Sequence, residues 1–427
     1  MADTIFALSS GAPPAGIAII RVSGPEAGSA MAAIAGGLPS PRRATLRLLR
    51  DPADGAPLDR ALLLWLPGPD NATGEDLAEL HCHGGRAVIQ AVQGVLARLP
   101  GLRAAMPGEF TRRAFDNGRI DLNGVEGLSD LLGAETEQQR RAALAMAEGH
   151  FSQRIARWRL ELLTLSAMAE AALDFSDEDD VPDADIERRI GATVRALVDD
   201  VRRDLAAPSA ERLRDGVRVV LAGPPNAGKS TLLNALVGRE AAIVSDIAGT
   251  TRDRIEVPAS IAGVPFLFTD TAGLRDEGTD RVEAIGIDRA RAALAAADLI
   301  LWLGAASDAP RADAILIAAQ CDRRESDAAD GMRLSAVTGE GMAELAEMLL
   351  DRARALLPGE SEYALHERQR IAVAAIADHL DAAAGADDML IVAEELRGAR
   401  AAIDRLTGQA GTEDMLDQLF SGFCIGK

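Results

Sequence analysis

At 427 residues the chain is longer than one hydrophobic core usually organises, so two or three domains are expected. Hydrophobic residues make up 48% of it, yet no uninterrupted apolar stretch approaches the roughly 18 to 20 residues of a membrane span, which excludes a helical membrane protein. The net charge of −21 excludes a broadly basic nucleic-acid binder. That charge is uneven. Residues 1–119 carry 12 Arg against 11 acids, whereas residues 120–427 carry 33 basic and 55 acidic residues, so any RNA contact must be local. The start, MADTIFALSSG, has an acid at Asp3 and no basic segment before a long apolar one, which argues against a secretory signal and for a cytoplasmic chain. Cys82, Cys321 and Cys424 are too few and too scattered for a disulfide framework or a closed zinc site, so reduced thiols are expected.

Along residues 1–119, short β-like runs (GIAIIRVSG, ALLLWLP, LAELHCHGG) alternate with Gly and Pro turns and one helical stretch, AVIQAVQGVLARL, predicting a compact α+β domain. Glu79, His81 and His83 fall on one face of the third run. Three alternating ligands with no distant partner are not a metal-site signature, so structural or site-lining roles are expected of them. From Val125 the periodicity becomes helical, over 125–173 and 186–205. The acidic segment between them, DFSDEDDVPDAD, has no central Gly and no Glu at its twelfth position, so it reads as an interhelix loop and not an EF-hand.

At Gly216 the pattern changes again. VRVVLAG reads as a buried parallel strand, followed by a phosphate-loop match, GPPNAGKS, a helix, and strands PFLFTDTAG, ADLILWLG and AILIAAQCD: a doubly wound nucleotide-binding domain ending near Leu357. Only about ten residues separate its last two strands, at the lower limit for a crossover, so one crossover helix is expected to be vestigial. The remainder is helical, which makes the nucleotide domain an insertion. The expected divisions are 1–119, 120–214, 215–357 and 358–427.

The phosphate loop is followed in order by GTTRD, DTAG and SA, a succession specific for a GTPase. Backbone N–H groups of Asn226, Ala227, Gly228 and Lys229 and the helix start at Ser230 and Thr231 are expected to hold the phosphates of GTP. The Ser230 and Thr251 hydroxyls are expected to ligate Mg²⁺, with Asp270 holding it through water. Thr271, Ala272 and Gly273 complete the DTAG element, and Ser335 and Ala336 the SA element. Lys229 and Lys427 are the only lysines, and the other 43 basic residues are arginine. A compact ammonium reaches phosphate oxygens in a tight loop where a guanidinium would not fit, so Lys229 reads as chemistry. Lys427 closes the chain in FCIGK; a solvated tail is its bland reading, and its retention in so lysine-poor a chain favours a binding role.

Two positions depart from a Ras-type scheme. Leu274 stands where the water-orienting Gln is expected, so water and charge must be managed otherwise. The Asn226 amide oxygen suits a monovalent cation beside the phosphates, or it caps the loop. The expected N-K-x-D tetrad is Ala319-Gln320-Cys321-Asp322, in which Asp322 still accepts from guanine while the bracing Asn and the covering Lys are lost. Guanine preference should survive with weaker affinity.

With GPPNAGKS, IVSDIAGTTRD, DTAGLR and the terminal FCIGK in register, and with DTIFALSSG, ELHCHGG and PGEFTRRAFDNGRIDL near the start, the chain resembles the MnmE (TrmE) family of tRNA-modification GTPases along its whole length. The resemblance implies an α/β multidomain chain: an N-terminal α+β folate-binding and dimerisation domain, an all-α helical domain, and an inserted Ras-like doubly wound GTPase domain. It implies GTP contacts across Ser245, Asp246, Ile247, Ala248, Gly249, Thr250 and Thr251, and K⁺ held by Asn226, Ser245, Ile247 and Thr250. It makes Glu283 a water-positioning acid beside Thr251 and Lys229 in hydrolysis. It places a tetrahydrofolate derivative, 5-formyl or methylene, on Arg21, Glu79, Arg119 and Lys427. Homodimerisation, a flavoprotein partner of the MnmG (GidA) type and modification of the wobble uridine of tRNA at C5 are implied as well. Cys424 stays open between a reactive and a structural thiol, and CIGK lacks the residues of a prenylation signal. A ribosome-assembly GTPase and a folate-dependent aminomethyltransferase with a regulatory nucleotide domain are the rival readings. No KH-like module or basic tail follows the GTPase segment, which counts against the first.

Overall fold

The computed structural model describes residues 3–174, 183–206, 209–239, 256–271, 290–323, 331–357, 363–408 and 413–426. It has two compact units, 1–129 with 404–427, and 130–403.

In the first unit β1 (Thr4–Leu8), β2 (Ala15–Ser23), β3 (Thr45–Arg50), β4 (Pro57–Leu66), β5 (Leu77–Gly84) and β6 (Leu102–Ala104) form one sheet in the order β3-β4-β5-β2-β1-β6. The period-2 alternation sorts its faces. Ile20, Val22, Leu63, Trp65, Leu80 and Cys82 point inward, where they pack with α1 (Ala27–Ala35) and α2 (Arg86–Leu96). Burial pushes the Cys82 thiol up to about 12, so it behaves as an apolar core residue. On the other face the register sets Leu64, Glu79 and Arg21 in one row, and Leu46, Leu62, His81 and Ile19 in the next.

A smaller core joins α3 (Glu109–Asp116), the start of α4 (Leu122–Gly133) and a C-terminal helix, Glu413–Ser421, through Leu122, Val125, Leu416, Phe420 and Phe423. Beyond that helix, Ile425 bridges to Pro107. Gly426 adopts φ 94°, and a Cβ there would lie 2.0 Å from the Leu8 carbonyl oxygen. Only glycine allows that approach.

The second unit holds β7 (Val217–Ala222), β8 (Glu256–Ile261), β9 (Val264–Asp270), β10 (Leu299–Trp302), β11 (Ile315–Ala319) and β12 (Met332–Leu334), in the order β12-β11-β10-β7-β9-β8. All pairs are parallel except the β8–β9 hairpin. Helices cover the central strand β7 on both faces, which is why VRVVLA reads as a continuous apolar run. The step from β10 to β11 contains only a 3₁₀ turn, Ala306–Asp308, as its short length predicts.

The helical run read over 125–173 is interrupted twice. Thr136 caps α5 (Glu137–Ala147) in a capping box with Gln139, and Gly149, at φ 81°, precedes α6 (His150–Asp174). Between α6 and α7 (Asp183–Leu205) lies a polar network around Arg154, whose guanidinium meets Asp204 at 2.5 Å and Asp200 at 2.9 Å. The Trp158 indole N–H donates to Asp200 at 2.9 Å, and the Tyr363 hydroxyl to Asp204 at 3.0 Å. Burial opposes the Asp200 charge, but the indole and the neighbouring arginines outweigh it and hold the carboxyl below its usual range. Burial, then the Asp204 charge, pushes the Tyr363 phenol up. Among the described residues no helix is long and apolar enough to cross a membrane.

Candidate functional site

The carboxyl end of β7 leads straight into the phosphate loop, and α9 (Lys229–Arg239) begins at its lysine. Gly223 (φ 148°), Asn226 (φ 58°) and Gly228 (φ 98°) give the loop its curl, and a Cβ on Gly223 would stand 3.1 Å from the Leu303 backbone. Lys229 is buried, 5% exposed, and its ammonium donates to the carbonyls of Gly223 at 3.1 Å and Pro224 at 2.8 Å. The loop's own oxygens therefore hold the charge where it would meet phosphate.

Ser230 turns its hydroxyl to Asp270 at the end of β9, and Asp270 is likewise buried, at 5% exposure. Thr271 anchors the start of the DTAG element by donating from its N–H and its hydroxyl to the Leu221 carbonyl, at 3.2 and 2.9 Å. The two elements thus converge at the carboxyl edge of adjacent strands, where doubly wound sheets bind ligands. Ser245, Asp246, Ile247, Ala248, Gly249, Thr250 and Thr251, together with Ala272, Gly273, Leu274 and Glu283, lie outside the described residues.

Beside the loop is a cavity of about 120 Å³ lined by Gly228, Thr231, Gln320, Asp322, Ser335 and Ala336, among others. The buried Ser335 hydroxyl donates to Asp322 Oδ1 at 2.7 Å and accepts from the N–H groups of Val337 at 3.3 Å and Thr338 at 3.2 Å. This fixes the carboxylate at the cavity wall. Its second oxygen stands 3.8 Å from Arg323 Nε, and a carboxylate offers about four lone-pair sites, so it retains capacity for guanine's N1 and N2 donors.

In the first unit the structure brings Arg21 and Glu79 together across β2 and β5, with Arg21 Nε donating to Oε1 at 2.9 Å. His81 Nε2 lies 3.1 Å from Oε2, whereas His83 pairs with Asp59 at 2.7 Å. Two of the three alternating residues, Glu79 and His81, pair with each other, and the third is taken elsewhere. Arg119 is exposed, with Nη1 3.6 Å from Asp70 and its stem against Gly74. Lys427 lies outside the described residues, but its neighbour Gly426 packs on Leu8, one residue from Ala7, which faces Arg21 in register. Cys424 is exposed.

Sequence reasoning did not find the apolar surface beside the Arg21–Glu79 pair. Leu46 is 58% and Leu62 41% exposed on the sheet's open face. The signal was the strand alternation, which puts leucines out of phase with the core.

A family model described as the MnmE helical domain matches residues 122–424, and one described as the GTP-binding protein TrmE N-terminus matches residues 4–119. A protein of Rhizorhabdus wittichii named tRNA modification GTPase MnmE is 61% identical, with 100% of this chain and 97% of that protein covered. One of Novosphingobium aromaticivorans with the same name is 58% identical, with both chains covered in full. Among solved structures, the G domain of the T. maritima FeoB iron transporter is 27% identical over 32% of this chain and 98% of its own, with a TM-score of 0.23.

Proposed function

The chain belongs to the MnmE family of tRNA modification GTPases, and from that premise we propose that it is a K⁺-stimulated GTPase acting with a flavoprotein of the MnmG type. The reaction proposed is one-carbon modification of the wobble uridine at C5, with a tetrahydrofolate derivative as donor. That it is a GTP hydrolase of tRNA modification follows from membership, which displaces the ribosome-assembly and aminomethyltransferase readings. The finer reading is carried by the presence in one chain of a phosphate and base site, built on Lys229, Ser230, Asp270 and Asp322, and of a separate Arg21–Glu79 pair.

The residues fit the groups proposed. Ser230 Oγ is a hard oxygen of the kind Mg²⁺ takes, with Thr251 as the second ligand proposed, and the Asp270 carboxylate beside Ser230 would hold the ion through water. When bound, the ion neutralises phosphate charge. Asn226, with Ser245, Ile247 and Thr250, would supply only neutral oxygens to K⁺, and the left-handed backbone at Asn226 is a conformation that Asn tolerates. Glu79, its oxygens already oriented by Arg21 and His81, can accept from the adjacent ring N–H and amino group of a pterin. Arg119 and Lys427 suit the carboxylates of folate. Glu283 is proposed to position water in place of the missing Gln. A second copy of the chain is proposed as the partner in a homodimer, through the N-terminal domain over residues 1–119. The helical domain is proposed to run over 120–214 and 358–427, around a GTPase domain over 215–357.

Nucleoside analysis of tRNA from a deletion strain tests the function: the C5-modified wobble uridine should vanish, and its persistence overturns the reading. GTP turnover should be at least about tenfold faster in K⁺ than in Na⁺, because a charge placed at the transition state contributes several kcal/mol. Asn226→Ala should abolish the difference; equal wild-type rates in the two salts exclude the cation. Deleting Lys427 should weaken tetrahydrofolate binding by about tenfold to a hundredfold, the scale of one charge-assisted contact. Titration calorimetry with an unchanged affinity would return Lys427 to a solvated tail.

A further inference from the structure

A capping box needs only a side-chain acceptor at the third helical position, which glutamate supplies as well as glutamine. In α5 that position is Gln139. Its Oε1 accepts from the N–H groups of Glu135 at 2.8 Å and Thr136 at 2.9 Å, which closes the box and leaves the amide N–H₂ over. That group is spent elsewhere: Nε2 donates to the carbonyls of Leu213 at 3.1 Å and Arg214 at 3.2 Å. Both lie at the end of the short helix Ala210–Asp215, where carbonyls have no partner within a helix, and Gly216, at φ 83°, turns the chain from there into β7. One side chain thus caps the start of one helix and the end of another. The preceding residue of α5 meets the neighbouring strand. The Gln138 N–H, a donor that the helix cannot satisfy itself, donates to the Gly263 carbonyl at 3.3 Å. Ala262 (φ 48°) and Gly263 (φ 81°) make the tight turn from β8 to β9, and one helical turn further along α5 Ala142 enters the core that holds Leu213, Ile261 and Phe266. Strands β7 and β9 pair in parallel from Val217 and Phe266 to Leu221 and Asp270. The first turn of α5 and the nucleotide site therefore stand at opposite ends of one strand pair.

We propose that Gln139 is a positioning residue that roots the β7–β9 pair on α5, so that a shift of Asp270 and the phosphate loop between nucleotide states is passed down the pair into the helical segment. Packed strands shift together because the core between them is close to incompressible. A root bonded to α5 carries that motion onward, and an unbonded one would dissipate it. Glutamate at 139 would keep the capping box but turn its second oxygen on two carbonyls, which repel it, so glutamine is the residue that serves cap and joint at once. The coupling requires only that the chain is a GTPase, and it is independent of the folate, K⁺ and flavoprotein readings.

The test is amide hydrogen exchange of the full chain saturated with GDP or with a non-hydrolysable GTP analogue. In wild type, exchange over residues 137–147 and 210–216 should differ between the two nucleotides by at least about threefold, the scale of one net hydrogen bond made or lost. Gln139→Glu should keep its cap, its melting temperature and, within about twofold, its GTP turnover, while the nucleotide-dependent difference over 137–147 disappears. Gln139→Ala, which loses cap and joint alike, should lose the difference too, and it decides by the same readout if the glutamate variant does not fold. Wild-type exchange over 137–147 that ignores the nucleotide overturns the proposal, as does a difference that survives in the variants. A glutamate variant that keeps its melting temperature while its turnover falls outside that range would assign Gln139 to the GTPase site itself and overturn the coupling role.

Discussion

Replacing Lys229 by alanine should lower GTP turnover by about 10² to 10³-fold, the loss seen when one preorganised donor is removed from developing transition-state charge. Lys229 is 5% exposed and its ammonium is held by two carbonyls of its own loop, so the loop itself preorganises the charge. Alanine is a better helix former than lysine at the start of α9 and leaves the apolar helix contacts of Leu232 and Leu236 untouched. The nucleotide-free melting temperature should therefore stay close to wild type while turnover collapses. Lys229→Arg should fail as well, because a planar guanidinium does not fit between the Gly223 and Pro224 carbonyls. Turnover within tenfold of wild type in the alanine variant, measured by phosphate release at saturating GTP, would remove Lys229 from the chemistry.

Asp322→Asn should weaken GDP by about 10² to 10³-fold, because it removes a charge-assisted acceptor and leaves a buried donor unpaired. Ser335 Oγ already donates to Asp322 Oδ1 at 2.7 Å. The asparagine oxygen would take that bond, turning its amide N–H₂ towards the base. Guanine presents donors there, and donor would face donor. Xanthine carries a carbonyl in place of the exocyclic amine, so xanthosine diphosphate should bind the variant better than GDP does, reversing the wild-type order. Competition binding with both nucleotides checks the swap. An unchanged order would mean that the base is read by other groups.

How much of this was legible beforehand depends on which atoms carry the information. GPPNAGKS was readable because phosphate binding uses backbone N–H groups and one lysine at fixed spacing, so local sequence contains nearly the whole requirement, and DTAG and SA because they follow it in a fixed order. The buried strand β7 was readable because both of its faces are covered, which forces an unbroken apolar run. The elements that escaped are short or weakly patterned. Strands β1, β3, β6, β8 and β12 and helices α1 and α3 take their stability from pairing and packing with distant segments and not from their own propensities.

By itself the sequence determined the fold class and the GTPase chemistry, and it supplied Lys229, Ser230, Asp270 and Asp322 as candidate site residues, because these readings follow from residue types at fixed spacing. The tertiary structure alone decided which strands became neighbours, and hence that Glu79 is clasped by Arg21, 58 positions away in sequence, while His83 is claimed by Asp59. It also decided that Gln320 reaches the phosphate loop 94 positions away. Sheet register and left-handed turns set these contacts, and both arise from the summed packing of the whole chain, which no local window contains.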